Sequence, residues 1–403
     1  MAERSLILVT HPGRQHSHQA ALALHGARML AGYWAGVPAV AEQARRVPPF
    51  LRRRFERYAP VPLPAGSSRW FPWAPALRRI GDAVLPPSRA AWSDFAACRL
   101  FDRWAAARLP RAGAPVSAVI ACEISALSTF REARRLGMAT ILDAPSIHHA
   151  AQDRLHGTAD SPRLHRRITE VKDEEIALAD HILTVSELAR QTYLDAGVPA
   201  EKVHALTLGA DTELFAPVPG ERTSADGFVF LFAGATIRRK GFDLLLGAFE
   251  RVRAQEPAAG LRVVGPRGDL GHLLDGRTGI SAAGAMDQRG LAEEFRRADC
   301  LVLPSRNDSY AMVVTEALAS GLPVIVSEMV GAKDLVTEER NGWVVPVEDV
   351  GALADRMLWC ARNSEAVRAM REDCRRSAEA ATWPAYHGRL ADLVRRIVPP
   401  KSA

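Results

Sequence analysis

Two acidic residues, Asp308 and Glu316, lie eight positions apart in a segment where apolar runs flank a polar loop. Residues 301–303 are typical of a buried strand, a helical pattern begins near Ala311 and carries Glu316, and a second apolar run follows at residues 324–326. In an open α/β sheet such a loop lies at the carboxyl ends of the strands, where ligands bind. Carboxylates there can accept hydrogen bonds from several hydroxyl groups of a sugar or a ribose. The alternative is that Asp308 caps the helix or the loop and Glu316 is a solvated helix residue.

Three consecutive cations follow another predicted strand. Residues 228–233 are apolar, and Arg238, Arg239 and Lys240 precede Gly241 at the predicted start of a helix. Cations are unfavourable there because the positive end of the helix dipole is already present. A bound phosphate would correct this, with Arg gripping its oxygens in pairs and Lys acting as a point charge. The alternative is a solvated basic turn.

A histidine-rich loop, HPGRQHSH, follows a predicted strand at residues 6–10 near the start of the chain. Gly13 permits close backbone approach at this strand-to-helix turn. The loop lacks the GxGxxG spacing of dinucleotide-binding enzymes. Its histidines could be taken for a metal cluster, but no matching carboxylate pattern accompanies them; they are His11, His16 and His18.

A second histidine pair, His148 and His149, follows a predicted strand at residues 139–142, with Asp143 and Ser146 beside it. A histidine in such a loop is a candidate general base, provided that it can reach the proton it removes. Sequence alone does not establish that reach. The alternative is a structural role for both rings.

Length and composition predict two domains in a reducing compartment. A chain of 403 residues is long for a single core, and its 48% hydrophobic content is ample for folding. The chain holds no run of eighteen apolar residues, and its first residues lack a signal-peptide pattern. Five scattered cysteines argue against a disulfide framework or a zinc site. We therefore expect a cytoplasmic protein.

The basic charge is concentrated in the first 110 residues, which hold 16 Arg, no Lys and six acidic residues, whereas the whole chain carries +6. The excess centres on residues 48–58, residues 69–79 and a predicted helix after Pro87, where Arg alternates with Trp and Phe. Such a surface suits an anionic membrane or an acceptor that bears phosphates. Nucleic acid is not favoured, because no binding motif accompanies the charge. The alternative is a solvated Arg-rich face.

The second half of the chain resembles the retaining glycosyltransferases of family 4, which are of glycosyltransferase group 1 type and have the GT-B fold. Four segments carry the resemblance: FLFAGATIRRKGFDLLLGAFERV (230–252), ISAAGAMDQRGLAEEFRRADCLVLPS (280–305), SRNDSYAMVVTEALASGLPVIVSEMVGAKDLV (305–336) and ERNGWVVPVED (339–349). The resemblance implies an α/β protein in which two Rossmann-like domains face each other across a cleft. The implied acceptor domain is residues 1–212, with a C-terminal helix at 383–403 packing back on it. A linker at 213–227 and a donor domain at 228–382 follow.

The resemblance also implies roles for individual residues. Glu316 falls on the family's ribose-binding glutamate, and Asp308 stands where the family has a sugar-binding glutamate. Lys240 matches the phosphate-site lysine, whereas Ala235 replaces an Arg that many members carry. The implied catalytic residues are Asp308, His148 and His149. The implied donor-binding residues are Gly13, Arg238, Arg239, Lys240, Met286, Ser309, Tyr310, Ala311, Met312, Val313 and Glu316.

The function implied is retaining transfer of a hexose-type sugar from a nucleotide sugar, with UDP-sugars favoured and GDP-mannose next. The acceptor would be a glycan, a lipid-linked sugar or a small molecule, in cell-surface polysaccharide or glycolipid synthesis. The nucleotide sugar is a co-substrate, and we expect no cofactor and no catalytic metal. Peripheral contact with an anionic membrane is a further expectation, and the oligomeric state stays open. The alternatives are another GT-B enzyme such as a sugar-nucleotide epimerase, or an inactive sugar-nucleotide-binding protein.

Overall fold

A computed structural model describes residues 5–47, 60–113, 115–156, 161–218 and 227–399. The chain divides into two compact units. Unit 1 comprises residues 1–184, 192–206 and 386–403, and unit 2 comprises residues 185–191 and 207–385. The basic segment at residues 48–58 lies outside the described residues, as does more than half of the linker at 213–227.

Unit 1 is built on a seven-stranded sheet with the order β3-β2-β1-β4-β5-β6-β7, in which every neighbouring pair is parallel. Its central strands are continuous apolar runs, as expected when helices cover both faces of a parallel sheet. The strands are β1 Leu6–His11, β2 Leu30–Ala35, β3 Ser68–Trp70, β4 Val116–Cys122, β5 Ala139–Ala144, β6 His181–Thr184 and β7 Val203–Ala205.

The α-helices described between β1 and β7 connect these strands, and a last helix closes the chain. They are α1 Ser17–Gly26, α2 Ala41–Arg45, α3 Trp73–Val84, α4 Pro87–Arg108, α5 Leu127–Arg135, α6 His149–His156, α7 Pro162–Leu178, α8 Glu187–Asp195 and, at the end of the chain, α15 Trp383–Ile397. The helix predicted after Pro87 is thereby confirmed. From Tyr386 onward the last helix belongs to unit 1, where the ring Nε2 of His387 lies 2.8 Å from Oε1 of Gln19.

Unit 2 is built on a six-stranded sheet with the order β10-β9-β8-β11-β12-β13, again parallel throughout. Its strands are β8 Val229–Ala233, β9 Gly260–Val264, β10 Ile280–Gly284, β11 Cys300–Leu303, β12 Val324–Ser327 and β13 Gly342–Val345. Its helices are α9 Phe242–Gln255, α10 Gln288–Arg297, α11 Met312–Ala319, α12 Val350–Arg362, α13 Ser364–Ala369 and α14 Arg371–Glu379. The predicted α/β class with parallel sheets is confirmed for both units.

The boundary between the units differs from the predicted one at residue 212. Residues 185–191 and 207–212 belong to unit 2. Side-chain contacts explain this, because Ser186 Oγ donates to the carbonyl of Ser309 at 2.5 Å. The hydroxyl of Tyr310 likewise donates to the carbonyl of Leu208 at 2.8 Å. Neither partner is close in sequence, so the chain pattern alone could not place them together.

Each sheet has one position where successive connections leave in opposite directions. In unit 1 it lies between β1 and β4, and in unit 2 between β8 and β11. The crevice outside the carboxyl ends of strands at such a switch point is where open α/β sheets bind ligands. The loops that follow these four strands are therefore candidate ligand-binding regions.

Candidate functional site

The three cations of unit 2 lie directly after β8, at the switch point. They form a 3₁₀ turn, Arg238–Lys240, and helix α9 begins only after Gly241. The prediction that they occupy the start of the helix is therefore corrected: the cations precede it. Gly241 has φ of 68°, and a Cβ atom there would lie 1.9 Å from the carbonyl oxygen of Pro304. The absence of a side chain lets the basic turn pack against the loop that follows β11.

Arg306 fixes this packing, and sequence reasoning missed it. Its backbone N–H donates to the carbonyl of Arg239 at 2.9 Å, and its guanidinium donates to the carbonyl of Arg238 at 2.6 Å. The same guanidinium grips both carboxylate oxygens of Asp243, at 2.6 and 2.8 Å, and pairs with Glu348. Burial alone would raise the pKa of Asp243, but the bonds to Arg306 outweigh it and lower that pKa.

Lys240 and Asp308 form an ion pair, so the structure brings together two residues predicted for the same site. Both side chains are largely buried, at 16% and 12% exposure. The neighbouring Arg239 donates from Nη1 to the carbonyl of Asn307 at 2.8 Å. Arg238, by contrast, is 72% exposed and lies 3.8 Å from Asp243. The suggestion that Asp308 caps helix α11 receives no support, because its carboxylate holds Lys240.

Tyr310 and Ser309 anchor the loop between β11 and α11. The Tyr310 hydroxyl accepts a hydrogen bond from Thr315 Oγ1 at 3.0 Å while donating to Leu208, and its ring is buried. Ser309 offers its carbonyl to Ser186. These two residues therefore hold the loop in place, whereas a direct role in binding a donor stays a prediction for them.

Ala311 turns the chain into helix α11 in the left-handed conformation, with φ of 68° and ψ of 74°. A non-glycine residue rarely adopts this conformation, and strain of this kind gathers at functional sites. The helix begins at Met312, so the N–H groups of Met312 and Val313 belong to its first turn, where amides have no partner within the helix. Such amides and the helix dipole favour an anion at this end.

Glu316 is 5% exposed inside helix α11, and the interpretation as a solvated helix residue is wrong. Burial raises the pKa of its carboxyl to about 7. No described residue makes a side-chain hydrogen bond to this carboxyl. A buried carboxyl without a partner is costly unless a ligand supplies one. Glu316 is therefore a candidate to accept hydrogen bonds from the hydroxyl groups of a ligand.

Met286 is less closely tied to this cluster. It is half-buried in the loop after β10, the edge strand, which is separated from β8 by β9. The next residue, Asp287, caps helix α10 by accepting from the N–H of Gly290 at 2.9 Å. Met286 thus shares the carboxyl edge of the sheet but lies away from the switch point.

Unit 1 has a cavity of about 780 Å³ at its own switch point, between the loops that follow β1 and β4. The predicted residue Gly13 lies in its wall. Helices α3 and α4 close the other side. The lining residues are His11, Pro12, Gly13, Arg14, Gln15, Val37, Ala74, Pro75, Arg78, Ala91, Asp94, Phe95, Ala97, Cys98, Cys122, Glu123, Ile124, Pro145, Ser146 and Ile168.

The three histidines of the first loop have separate environments. His11 is buried, its Nδ1 accepts from the N–H of Gly13 at 2.8 Å, and burial lowers its pKa to about 4. His16 Nε2 lies 3.0 Å from Asp143 Oδ1, and this carboxylate outweighs burial and raises the pKa of His16. Burial lowers the pKa of His18 to about 3. Only His16 has a carboxylate partner in the described structure, and that pair ties the loop after β1 to the end of β5.

His148 and His149 stack with ring centroids 4.1 Å apart, and His149 Nε2 lies 3.0 Å from Asp173 Oδ1. One potential ligand atom from each of His148, His149 and Asp173 lies within 4.8 Å of the other two, so these residues could hold a metal ion. However, His148 Nδ1 accepts from the N–H of Ala150 at 3.2 Å, and burial lowers the pKa of His148 to about 4. A neutral imidazole has one lone-pair nitrogen. In this arrangement Nε2 carries the proton, so His148 donates hydrogen bonds and would need to change tautomer to act as a base or a ligand.

The loop after β4 is strained beside the cavity. Ile124 has φ of 68°, a conformation that is an outlier for a β-branched residue. The buried carboxylate of Glu175 holds this loop by accepting from the N–H groups of Ile124 at 2.7 Å, Ala126 at 2.8 Å and Leu127 at 3.0 Å. Burial raises the pKa of Glu175 to about 8. Sequence reasoning missed this loop, although an acid next to a β-branched residue just after a buried strand is a usable signal.

Comparison with known proteins confirms the resemblance drawn from the sequence. Residues 227–363 match the family model described as Glycosyl transferases group 1. The chain is 34% identical over 176 residues to a GDP-mannose-dependent alpha-mannosyltransferase of Mycobacterium tuberculosis, covering 42% of this chain and 45% of that protein. It is 27% identical over 250 residues to a D-inositol 3-phosphate glycosyltransferase of Jonesia denitrificans, covering 56% and 58%. The chain thus matches about half the length of these relatives.

Solved structures are similar over nearly the whole chain. Sucrose-phosphate synthase from Thermosynechococcus elongatus aligns with a TM-score of 0.71 at 20% identity, covering 98% of this chain and 99% of that one. Anabaena HepE in complex with UDP aligns with a TM-score of 0.67 at 14% identity, covering 97% and 100%. At these identities the likeness shows the fold, which is GT-B. None of the described helices is both long and apolar enough to cross a membrane.

Proposed function

We propose that this chain, which matches the family model described as Glycosyl transferases group 1 over residues 227–363, moves a hexose-type sugar from a nucleotide sugar to a hydroxyl acceptor with retention of configuration. The observation that carries the proposal is Glu316, a buried carboxyl without a described partner on the helix that leaves the switch point of unit 2. A ribose diol would supply two hydroxyl donors to it.

The phosphates of the donor would lie between the basic turn and the start of helix α11. Lys240 and Arg239 supply charge there, and the amides of Met312 and Val313 supply N–H groups. Lys240 forms an ion pair with Asp308. The diphosphate of a bound nucleotide sugar would therefore compete with the Asp308 carboxylate for the Lys240 ammonium group. Asp308 would then be released to accept from sugar hydroxyls.

In the reaction, the bond between the anomeric carbon and the phosphate oxygen breaks, and the acceptor oxygen forms its bond on the same face of the sugar. The acceptor proton passes to the leaving diphosphate. Lys240 and Arg239 stabilise the charge that grows on that diphosphate, a type of contribution whose loss costs roughly 10²–10³ in rate. This route needs neither a protein nucleophile nor a metal. For His148 we propose the role of a hydrogen-bond donor rather than a base. Its Nδ1 accepts from the N–H of Ala150, which leaves the proton on Nε2.

The acceptor would bind in the cavity of unit 1, at the other switch point. Exposed Trp73 and Trp92 on α3 and α4, in a region rich in Arg, support peripheral contact with an anionic membrane. The cysteines Cys98, Cys122 and Cys300 are free, which supports a cytoplasmic location.

A panel of UDP- and GDP-sugars tests the proposal. Binding is measured by calorimetry, and release of nucleotide is measured with and without simple glycoside acceptors. We expect one base to be preferred and the product to keep the anomeric configuration of the donor. Interconversion of free sugar nucleotides would indicate an epimerase instead, and tight binding without turnover would indicate an inactive binding protein.

A further inference from the structure

We propose that the cavity of unit 1 binds an amphipathic acceptor, in which a polyhydroxyl head is joined to a hydrocarbon portion. This rests on the proposed sugar transfer and specifies its acceptor class. The cavity of about 780 Å³ lies within the range of roughly 300–1,000 Å³ that suits a drug-sized ligand. Its two walls differ in chemistry, and that difference carries the inference.

The wall made by the carboxyl ends of β1, β4 and β5 is polar. Glu123 lies there, 9% exposed, with Lys172 held 3.0 Å from its carboxylate. His11, Gln15 and Ser146 add polar groups to the same wall. Neutral imidazole, amide, hydroxyl and carboxylate groups are the partners that a polyhydroxyl head requires. Ile124, the residue after Glu123, has φ of 68°, and such strain is typical of functional sites.

The opposite wall, made by helices α3 and α4, is apolar over much of its surface. Its apolar part consists of small and aromatic side chains, and the ion pair of Arg78 and Asp94 lies on the same wall; the apolar residues are Ala74, Pro75, Ala91, Phe95 and Ala97. Phe95 packs edge-on against Trp92, with ring centroids 6.3 Å apart, and Trp92 is 41% exposed. Trp73, next to Ala74 in the chain, is 66% exposed. Through Phe95 and Trp92 the apolar surface continues from the cavity to solvent. A purely polar acceptor would make no contact with this apolar surface.

The charges on the cavity wall are mostly matched within unit 1. Arg78 lies 2.8 Å from Asp94, and Lys172 balances Glu123. Arg14, the one further charged residue among the described lining residues, also has an interaction partner. Pairing of this kind favours hydroxyl groups over a multiply charged head. Soluble alkyl or aryl glycosides and membrane-anchored sugars share the required chemistry, and the experiment must separate them.

The test compares acceptors with one sugar head and different hydrocarbon portions: the free sugar, its methyl, octyl and phenyl glycosides, and a polyprenyl-linked form in detergent. Each methylene that becomes buried is expected to raise kcat/KM about fourfold, so that three buried methylenes give a gain of about 60-fold. A further gain with the polyprenyl form identifies a membrane lipid as the source. If kcat/KM is the same with the octyl glycoside and with the polyprenyl form, a soluble glycoside is the source. Either outcome supports an amphipathic acceptor.

Two variants on helix α4 locate the effect. Ala91→Phe fills the apolar side of the cavity at a position that is exposed, so the core is not altered. Ala96→Phe adds the same ring to the same helix at an exposed position outside the cavity lining. We expect the preference for octyl over methyl glycoside to fall by at least about 10-fold in Ala91→Phe and to persist in Ala96→Phe.

Direct binding of octyl and methyl glycosides, measured by calorimetry without nucleotide, makes the inference independent of turnover. If no sugar nucleotide is bound or turned over, the proposed function fails, while the binding comparison still judges the cavity. The inference is overturned if octyl and methyl glycosides bind and react alike. It is also overturned if the two Phe variants change the preference equally.

Discussion

Replacing Glu316 by Gln tests the central residue of the donor site through two independent properties. The exchange keeps the size of the side chain and removes its charge. The carboxyl is 5% exposed, and burial raises its pKa from the ordinary 4.5 to about 7. It therefore binds its proton more tightly in the folded protein than in the unfolded chain. The stability linked to this proton is present below pH 4.5 and is lost as the pH rises to about 7.

The size of the effect follows from that shift. Each pKa unit corresponds to about 1.4 kcal/mol, so ionisation of buried Glu316 should lower the free energy of unfolding by about 3 kcal/mol between pH 4.5 and pH 8. The amide side chain of the Glu316→Gln variant has no charge to bury. Without nucleotide, the variant should therefore gain about 3 kcal/mol relative to the native protein over the same pH range.

The assay is urea unfolding of both proteins at pH 4.5 and pH 8, combined with calorimetric titration of the preferred nucleotide at pH 8. A hydrogen bond to a charged group contributes about 1.5–3 kcal/mol, so nucleotide affinity should fall by roughly 10- to 100-fold in the variant. Glu293→Gln on helix α10, where the native carboxylate is 59% exposed, serves as the control and should change neither property.

The two readouts refute different steps of the reasoning. The difference in free energy of unfolding between native and Glu316→Gln protein could be the same at both pH values. That result would mean that burial does not raise the pKa of Glu316. Unchanged nucleotide affinity, together with the expected pH dependence, would mean that Glu316 is buried but does not hold the ribose.

Three further substitutions test the parts around it. Lys240→Ala should lower kcat/KM by about 10²-fold or more while the protein stays folded, as judged by circular dichroism; full activity would make the lysine structural. Gly241→Ala should destabilise unit 2 severely in thermal unfolding, because its Cβ would lie 1.9 Å from the carbonyl oxygen of Pro304, whereas Gly276→Ala, also left-handed but with open space around it, should cost only about 1 kcal/mol. Arg306→Gln should raise KM for the donor about 10-fold with a smaller change in kcat, since Arg306 positions the basic turn without being assigned to the donor itself; a loss confined to kcat would contradict that role.

Sequence reasoning was most successful where the signal is local. The basic turn and the acid pair lie within single strand-loop-helix segments, and the structure has those segments at nearly the predicted residues. The contacts that depend on the order of strands in the sheet could not be predicted from a single segment of the sequence. Lys240 meets Asp308, 68 residues away, because β8 and β11 are neighbours in the sheet. The central position of Arg306 depends on the same neighbourhood.

The site in unit 1 was harder to predict for the same physical reason. The cavity joins loops after β1 and β4, and strand pairing brings Thr10 opposite Ala121. Gly13 was assigned to donor binding through the resemblance; the structure places it in the wall of that cavity, and the assignment stays a prediction. The helix after Pro87 was visible in the sequence pattern, but nothing in that pattern shows that its apolar side faces the polar loops. A pairing of distant segments has to be known before a cavity can be inferred.

Left-handed non-glycine residues occur near both switch points, although other described residues also have positive φ away from them. Ile124 lies in the loop after β4 and Ala311 directly precedes helix α11; each has φ of 68°, and such conformations cost on the order of 1–3 kcal/mol. Glu316 adds the cost of burying a carboxyl without a described partner. Natural sequences are locally consistent except where function requires otherwise. Because these three departures lie in the segments that follow β4 and β11, two of the strands at which the sheet order reverses, we infer that they are maintained for ligand binding and that substitutions relieving them should stabilise the protein while weakening its activity.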